Sequence, residues 1–240
     1  FALRYRSRPG AQDRGLPLIR ETLQNVRIGL RYTRDHSTLF AIVLTYMVST
    51  TIVTAASGHL GPTWVTTVVG ASFNEFSLMQ LAWVSAAGLV GISLTRYALF
   101  ERKGALFVAG LLLFTVGFLV FSSGHVWPFV VVGNFFLGAG LATTYVAATH
   151  LVAHFTSPAV RARVMGLLLL SLATVQMLTL AIAGVAQAVG FETVFLVLAI
   201  TNALFVLTAL ITWSHIGRIR IPRADAVLGA GALASEESGD

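Results

Sequence analysis

Six long apolar runs separated by short polar segments dominate the chain. They cover Leu39–Ser57, Leu78–Thr95, Gly104–Ser122, Trp127–Ala148, Val164–Ala188 and Val194–Trp213, and none contains a charged residue. A helix needs about 20 apolar residues to cross a bilayer, and each run is close to that length. Lipid offers no partner for an open backbone N–H or C=O, so the runs must be helical. They show no period-two alternation, which excludes a transmembrane β-barrel. The predicted fold class is therefore all-α: a polytopic membrane protein with a six-helix transmembrane bundle.

One further helix is predicted ahead of the first run. From Pro17 to Arg34, Ile19, Leu23, Val26 and Leu30 recur at helical spacing, with Leu16 just before, while Arg20, Gln24, Arg27, Arg31 and Arg34 fall on the opposite side. Such a helix belongs on the membrane surface or against its own bundle. The expected division is a linker over 1–15, this amphipathic helix over 16–37, the bundle over 38–213 and a disordered tail over 214–240. The tail is rich in Gly, Ala, Ser and acid.

Composition supports the membrane assignment. Hydrophobic residues make up 56% and charged ones only 11%, against about 25% charge in soluble domains. The mean hydropathy is +0.80 and the pI about 10.5. In a soluble protein that basicity would suggest a nucleic-acid partner. Here none is expected, because the basic residues have another role. All 16 Lys and Arg residues lie before the first run, between the second and third, between the fourth and fifth, or after the sixth. The other three loops hold Glu75, Glu192, His59 and His125 but no Lys or Arg. The positive-inside rule then places both ends of the segment in the cytoplasm, within a multi-pass protein of the cell (inner) membrane. There is no cysteine, which excludes disulfide and thiolate chemistry. The arginines at positions 4, 6 and 8 are not followed by a signal-peptide core, and a start at Phe1 reads as a cut inside a longer protein.

Four segments resemble the major facilitator superfamily, in particular its bacterial efflux branch that includes siderophore and macrolide exporters. The stretch Ile28-Gly-Leu-Arg-Tyr-Thr-Arg-Asp-His-Ser-Thr-Leu39 is similar to that branch's basic entry to the seventh helix, with Ser37 where Pro is usual. Pro62, Val69-Gly70-Ala71-Ser72 and Glu75-Phe76-Ser77 resemble the link from helix seven to eight. Gly88, Gly91, Arg96 and Arg102-Lys103-Gly104 resemble a decayed G-x-x-x-D-R-x-G-R-R loop motif, with Thr95 at the Asp position. Pro158-Ala-Val-Arg161-Ala-Arg163-Val-Met-Gly166 resembles the loop before helix eleven. The resemblance covers Leu16 to Trp213. It implies that these are helices seven to twelve of a twelve-helix transporter whose N-terminal half lies upstream. It also implies a cytoplasmic gate at Arg96, Arg102, Lys103, Arg161 and Arg163, and a cavity lined by helices seven, eight, ten and eleven.

Polar residues within the runs are candidates for that cavity. Tyr46, Thr50, Thr54 and Ser57 share one helical face, which lipid would penalise, so it should meet protein or water. Cavity lining and hydroxyl-mediated packing both satisfy that demand. Gln80, Trp83, Asn134, Tyr145 and Gln176 are further candidates for a substrate pathway, with Phe136 as an apolar wall. Run three carries a single mid-helix polar residue, Thr115, which suits a lipid-facing helix, and Asn202 in run six reads as a packing contact. Gly133, Gly138 and Gly140 read as close helix packing. His150 and His154 have the i, i+4 spacing of a zinc pair but lack the rest of a metal motif. No metal or cofactor is expected, and no nucleophile–base pair points to an enzyme. The leading functional expectation is secondary active export of a small amphipathic compound, such as a drug, macrolide or siderophore, by alternating access, with the lipid bilayer, the substrate and the N-terminal half as partners. The alternatives are the membrane subunit of an ATP-driven exporter, for which the loops are too short, and a non-transporting sensor or scaffold.

Overall fold

The computed structural model describes residues 15–96 and 101–221. A leading helix, Gly15–Asp35, is followed by six helices of spanning length. The first span, Ser37–Thr67, is the longest departure from the expected boundaries. It runs ten residues past Ser57, through a π-helical stretch at Thr54–Leu60 and a last α segment at Gly61–Thr67. The Gly58, His59 and Pro62 cluster reads as a break. Instead, the wide π turn lets the helix change register just before Pro62, which has no N–H to give. The other spans are Phe73–Arg96, Lys103–Ser123, Trp127–Phe155, Pro158–Val189 and Phe191–Thr212.

Their ends have local causes. Ser72 and Glu75 form a capping box at the second span: the Ser72 N–H and hydroxyl both donate to the Glu75 carboxylate, at 2.7 and 2.9 Å. Pro128 and Pro158 occupy first turns, where a missing N–H costs nothing. Gly190, at φ 92°, makes the sharp turn between the fifth and sixth spans.

The third and fourth spans pack along their lengths, and the fourth also packs on the second. Glycines make this possible. A Cβ on Gly133 would come within 2.6 Å of the Phe121 backbone nitrogen, and one on Gly117 within 2.7 Å of that of Leu137. Gly140 is pressed in the same way against Phe114, and Gly138 against the carbonyl of Trp83. The third span is therefore not simply lipid-facing. Leu112 and Val116 are exposed, but Phe107, Leu111, Phe114, Phe118 and Phe121 are buried. Its Thr115 hydroxyl accepts from the Asn202 amide of the sixth span at 3.3 Å, so both polar residues serve packing.

The charge partition separates two ends. At the end without Lys or Arg, Trp64 stacks on Phe195 at 5.4 Å and meets Phe121 at 5.0 Å. At the basic end, Ser214–Ile221 folds back over the start of the third span. The Gly104 N–H donates to the Ile219 carbonyl at 3.2 Å and the Ile221 N–H to that of Glu101 at 2.8 Å. The remainder of the expected tail, and the expected linker through Arg14, lie outside the described residues.

Candidate functional site

Two adjoining hollows open on the face formed by the first, second, fourth and fifth spans. The first, of about 360 Å³, is lined by Tyr46, Thr50 and Thr54, by Trp83 and Ala87, by Gly138, Leu141, Ala142 and Tyr145, and by Leu168 and Leu169. Tyr46 is almost fully buried, and its ring lies 6.2 Å from that of Tyr145, which is 42% exposed. This hollow is nearly all carbon, with aromatic walls.

The second, of about 240 Å³, is the more polar of the two. Thr54, Ser57, Gly58 and His59 of the first span face Gln80 and Trp83 of the second and Asn134 and Leu141 of the fourth. Thr54, Trp83 and Leu141 belong to both hollows, so the two are compartments of one concavity. Asn134 is 3% exposed; its amide donates to the Met79 carbonyl at 2.8 Å and to the Gln80 Oε1 at 3.4 Å. With about 1.5 Å of rise per residue, the apolar compartment sits near the middle of the first span. The polar one lies further towards the end without Lys or Arg.

The predicted residues are thus largely brought together: Tyr46, Thr50, Thr54, Trp83 and Tyr145 around the apolar compartment, and Thr54, Ser57, Gln80, Trp83 and Asn134 around the polar one. Gln176 lines neither; it is exposed and touches the His59 imidazole, with 3.4 Å between the two Nε2 atoms. Phe136 is not a wall of either hollow, because its Cβ lies beside Gly117 of the third span. His59 was read as a loop residue and is the polar group that reasoning from hydropathy missed. The π stretch keeps it in the helix and on this face. Leu168 and Leu169 carry no sequence signal that separates them from other apolar residues.

At the basic end, two arginines make hydrogen bonds. The Arg163 Nε donates to the Asn25 Oδ1 of the leading helix at 2.9 Å, and Gly29 sits against the Arg163 backbone. Arg161 donates to the Thr156 carbonyl at 3.3 Å. Arg102 is exposed and Lys103 is buried at the start of the third span. The side chain of Arg96 lies outside the described residues. His150 is exposed, and His154 meets Phe155 edge-on at 5.2 Å; among the described residues no third metal-ligating side chain joins them.

The sequence matches the Major Facilitator Superfamily over residues 38–229, which takes in all six spans but for Ser37. The chain belongs to this superfamily. It is accordingly a multi-pass membrane protein of the secondary-transporter class rather than an enzyme, and the many exposed Leu, Val, Ile and Phe side chains of its spans are surfaces for lipid or other helices. No individual curated protein matches the sequence. Within the superfamily assignment, the two-compartment concavity is a candidate for holding a small molecule. Apolar walls with a few placed polar groups are the usual character of such sites.

Proposed function

We propose that the chain is the C-terminal half of a twelve-helix exporter of a small amphipathic compound, working by alternating access in the cell membrane with its basic end in the cytoplasm. One observation carries this reading. In a bundle with almost no charge, hydroxyls, carboxamides and two tyrosine rings converge on one concave face formed by four helices. A substrate with an apolar body and a polar head matches the two compartments. Two six-helix halves rocking about such a face is the general scheme for this architecture. The resemblance to the efflux branch supports export as the direction. The basic cluster of Arg102, Lys103, Arg161 and Arg163 then forms the cytoplasmic gate.

The test uses the full-length protein made cysteine-free. With cysteine at Thr54, thiol modification in proteoliposomes should block transport of a fluorescent amphipathic dye, and the dye should slow the modification. Complete modification without loss of transport would remove Thr54 from the pathway. For orientation, an impermeant thiol reagent added outside cells should label cysteines at His125 and Glu192, whose side chains are 60% and 61% exposed. A cysteine at Arg102 should label only after permeabilisation. Gly104 is unsuitable, since a side chain there would meet the Ile216 carbonyl.

A further inference from the structure

The polar compartment has a distinctive chemical composition. Among the described residues that line it or touch His59, none is Asp, Glu, Lys or Arg, whether from the first, second, fourth or fifth span. His59 is its only titratable group. The other titratable groups on this face are the phenols of Tyr46 and Tyr145, one compartment away. The polar atoms around His59 include donors and acceptors: the Ser57 hydroxyl is spent on the Val53 carbonyl and the Asn134 amide nitrogen on Met79 and Gln80, which leaves their oxygens as acceptors. The Gln80 Oε1 is occupied by the Asn134 amide, which leaves the Gln80 NH₂ group to the hollow. Gln176 is a partner that suits either charge state of the imidazole. Its NH₂ can donate to a neutral ring nitrogen, and after a 180° turn its oxygen can accept from a protonated one. Histidine is the side chain that changes charge between about pH 5 and pH 8.

We propose that His59 selects the charge of the substrate's head: protonated, with Gln80 beside it, it holds an anionic group such as a carboxylate or sulfonate, while the apolar body fills the Tyr46–Trp83–Tyr145 compartment. This rests on the proposed pathway, and it goes further by naming the class, an amphipathic anion rather than the amphipathic cation that a carboxylate-lined cavity would take. A cation in this compartment would face an imidazolium, with no carboxylate among the described lining residues to offset it. An anion gains a charge-assisted hydrogen bond in surroundings of low dielectric.

The experiment uses two probes with one body and permanently charged heads, naphthalenesulfonate and naphthyltrimethylammonium, so that only the protein titrates. Each is measured as protection of Thr54→Cys from maleimide in the otherwise cysteine-free full-length protein, relative to the unprotected rate at the same pH. The sulfonate should protect at roughly tenfold lower concentration near pH 5.5 than near pH 8, the effect of one charge-assisted hydrogen bond. The ammonium should show no such gain. His59→Gln should abolish the pH difference, and His59→Lys should keep strong sulfonate protection at both pH values. The proposal is overturned if the pH difference survives in His59→Gln, or if the ammonium protects as well as the sulfonate. Protection by both probes without charge preference would sink the role of His59 alone. Protection by neither would sink the pathway with it.

Discussion

The glycines of the third and fourth spans are pressed against neighbouring backbone, whereas Gly88 and Gly91 of the second span and Gly166 and Gly184 of the fifth have nothing within 4 Å of where a side chain would begin. Hydropathy alone does not distinguish these helices. What differs is how each meets its surroundings. On the closed side, Gly110, Gly117, Gly133 and Gly140 remove side chains so that backbones approach, and in lipid such packing replaces the hydrophobic effect as the force between helices. On the open side, the first, second and fifth spans surround a concavity and leave hydroxyls and amides along it. A rigid wall behind an open face is what the proposed rocking of a six-helix unit as one body needs.

The largest effect should come from filling the closed side. Gly133→Ala places a methyl 2.6 Å from Phe121 N, and Gly140→Ala places one 2.6 Å from Phe114 Cα. Backbone cannot step aside cheaply, so each should cost at least about 1–3 kcal/mol and lower the melting temperature in detergent sharply. Gly88→Ala and Gly184→Ala should stay within about 0.5 kcal/mol of the parent. Equal losses at both sets would erase the distinction between the two sides.

Next in size is the buried polar pair of the closed side. Thr115→Val leaves the Asn202 amide in hydrocarbon without its partner, at a cost of about 0.6–2 kcal/mol. Adding Asn202→Leu should restore most of that loss, because replacing both partners avoids the unpaired group. A double variant less stable than Thr115→Val would show that the Asn202 side chain packs for another reason.

The open side should respond the other way round. Both Thr50→Val and Thr54→Val keep the shape of the side chain; Thr54→Val should leave the melting temperature unchanged, while Thr50→Val also removes the partner of the buried Tyr46 hydroxyl and should lower it slightly. Transport of an amphipathic dye should fall about three- to tenfold, as expected for a lost hydrogen bond worth about 0.5–1.5 kcal/mol. A fall in stability with transport per folded molecule intact would return these hydroxyls to packing.

The sequence made the six spans legible because lipid imposes a simple rule, that apolar length must match bilayer thickness, and because Lys and Arg mark one end. Tyr46, Thr50 and Thr54 also recur one turn apart where polar groups are expensive, and all three line one hollow. Two things were hidden. Residues Ser57 to Pro62 carry every sign of a helix end, and only the π register shows that the helix continues and carries His59 onto the face. The burying surface of the leading helix was hidden too. Its apolar stripe predicts a face turned to the membrane surface or to the bundle; Leu23 and Leu30 are 65% and 53% exposed, while Val26 packs on the bundle and Asn25, Gly29 and Thr33 meet it from beside the stripe. A pattern of apolar residues says which face avoids water; in a membrane protein it does not say whether that face meets protein or lipid.

The smallest effect concerns that leading helix. Arg163 joins it to the fifth span through Asn25, and the same arginine helps to define the basic end. Both roles predict a residue that matters, but in different assays. If Arg163 only sets topology, Arg163→Gln should change insertion, and the inserted protein should transport normally. If the Arg163–Asn25 bond holds the leading helix against the fifth span as the gate opens and closes, Asn25→Ala should reproduce the defect of Arg163→Gln without changing any charge. Partly exposed polar contacts of this kind contribute only about 0.2–1 kcal/mol. The melting temperature should therefore move little, while an inward–outward balance of similar size could shift by up to about fivefold. The measurement is transport per inserted molecule for Arg163→Gln, Asn25→Ala and the double variant. Equal, non-additive losses would assign the contact a part in gating. A loss confined to Arg163→Gln, and matched by misinsertion, would leave charge placement as its whole function.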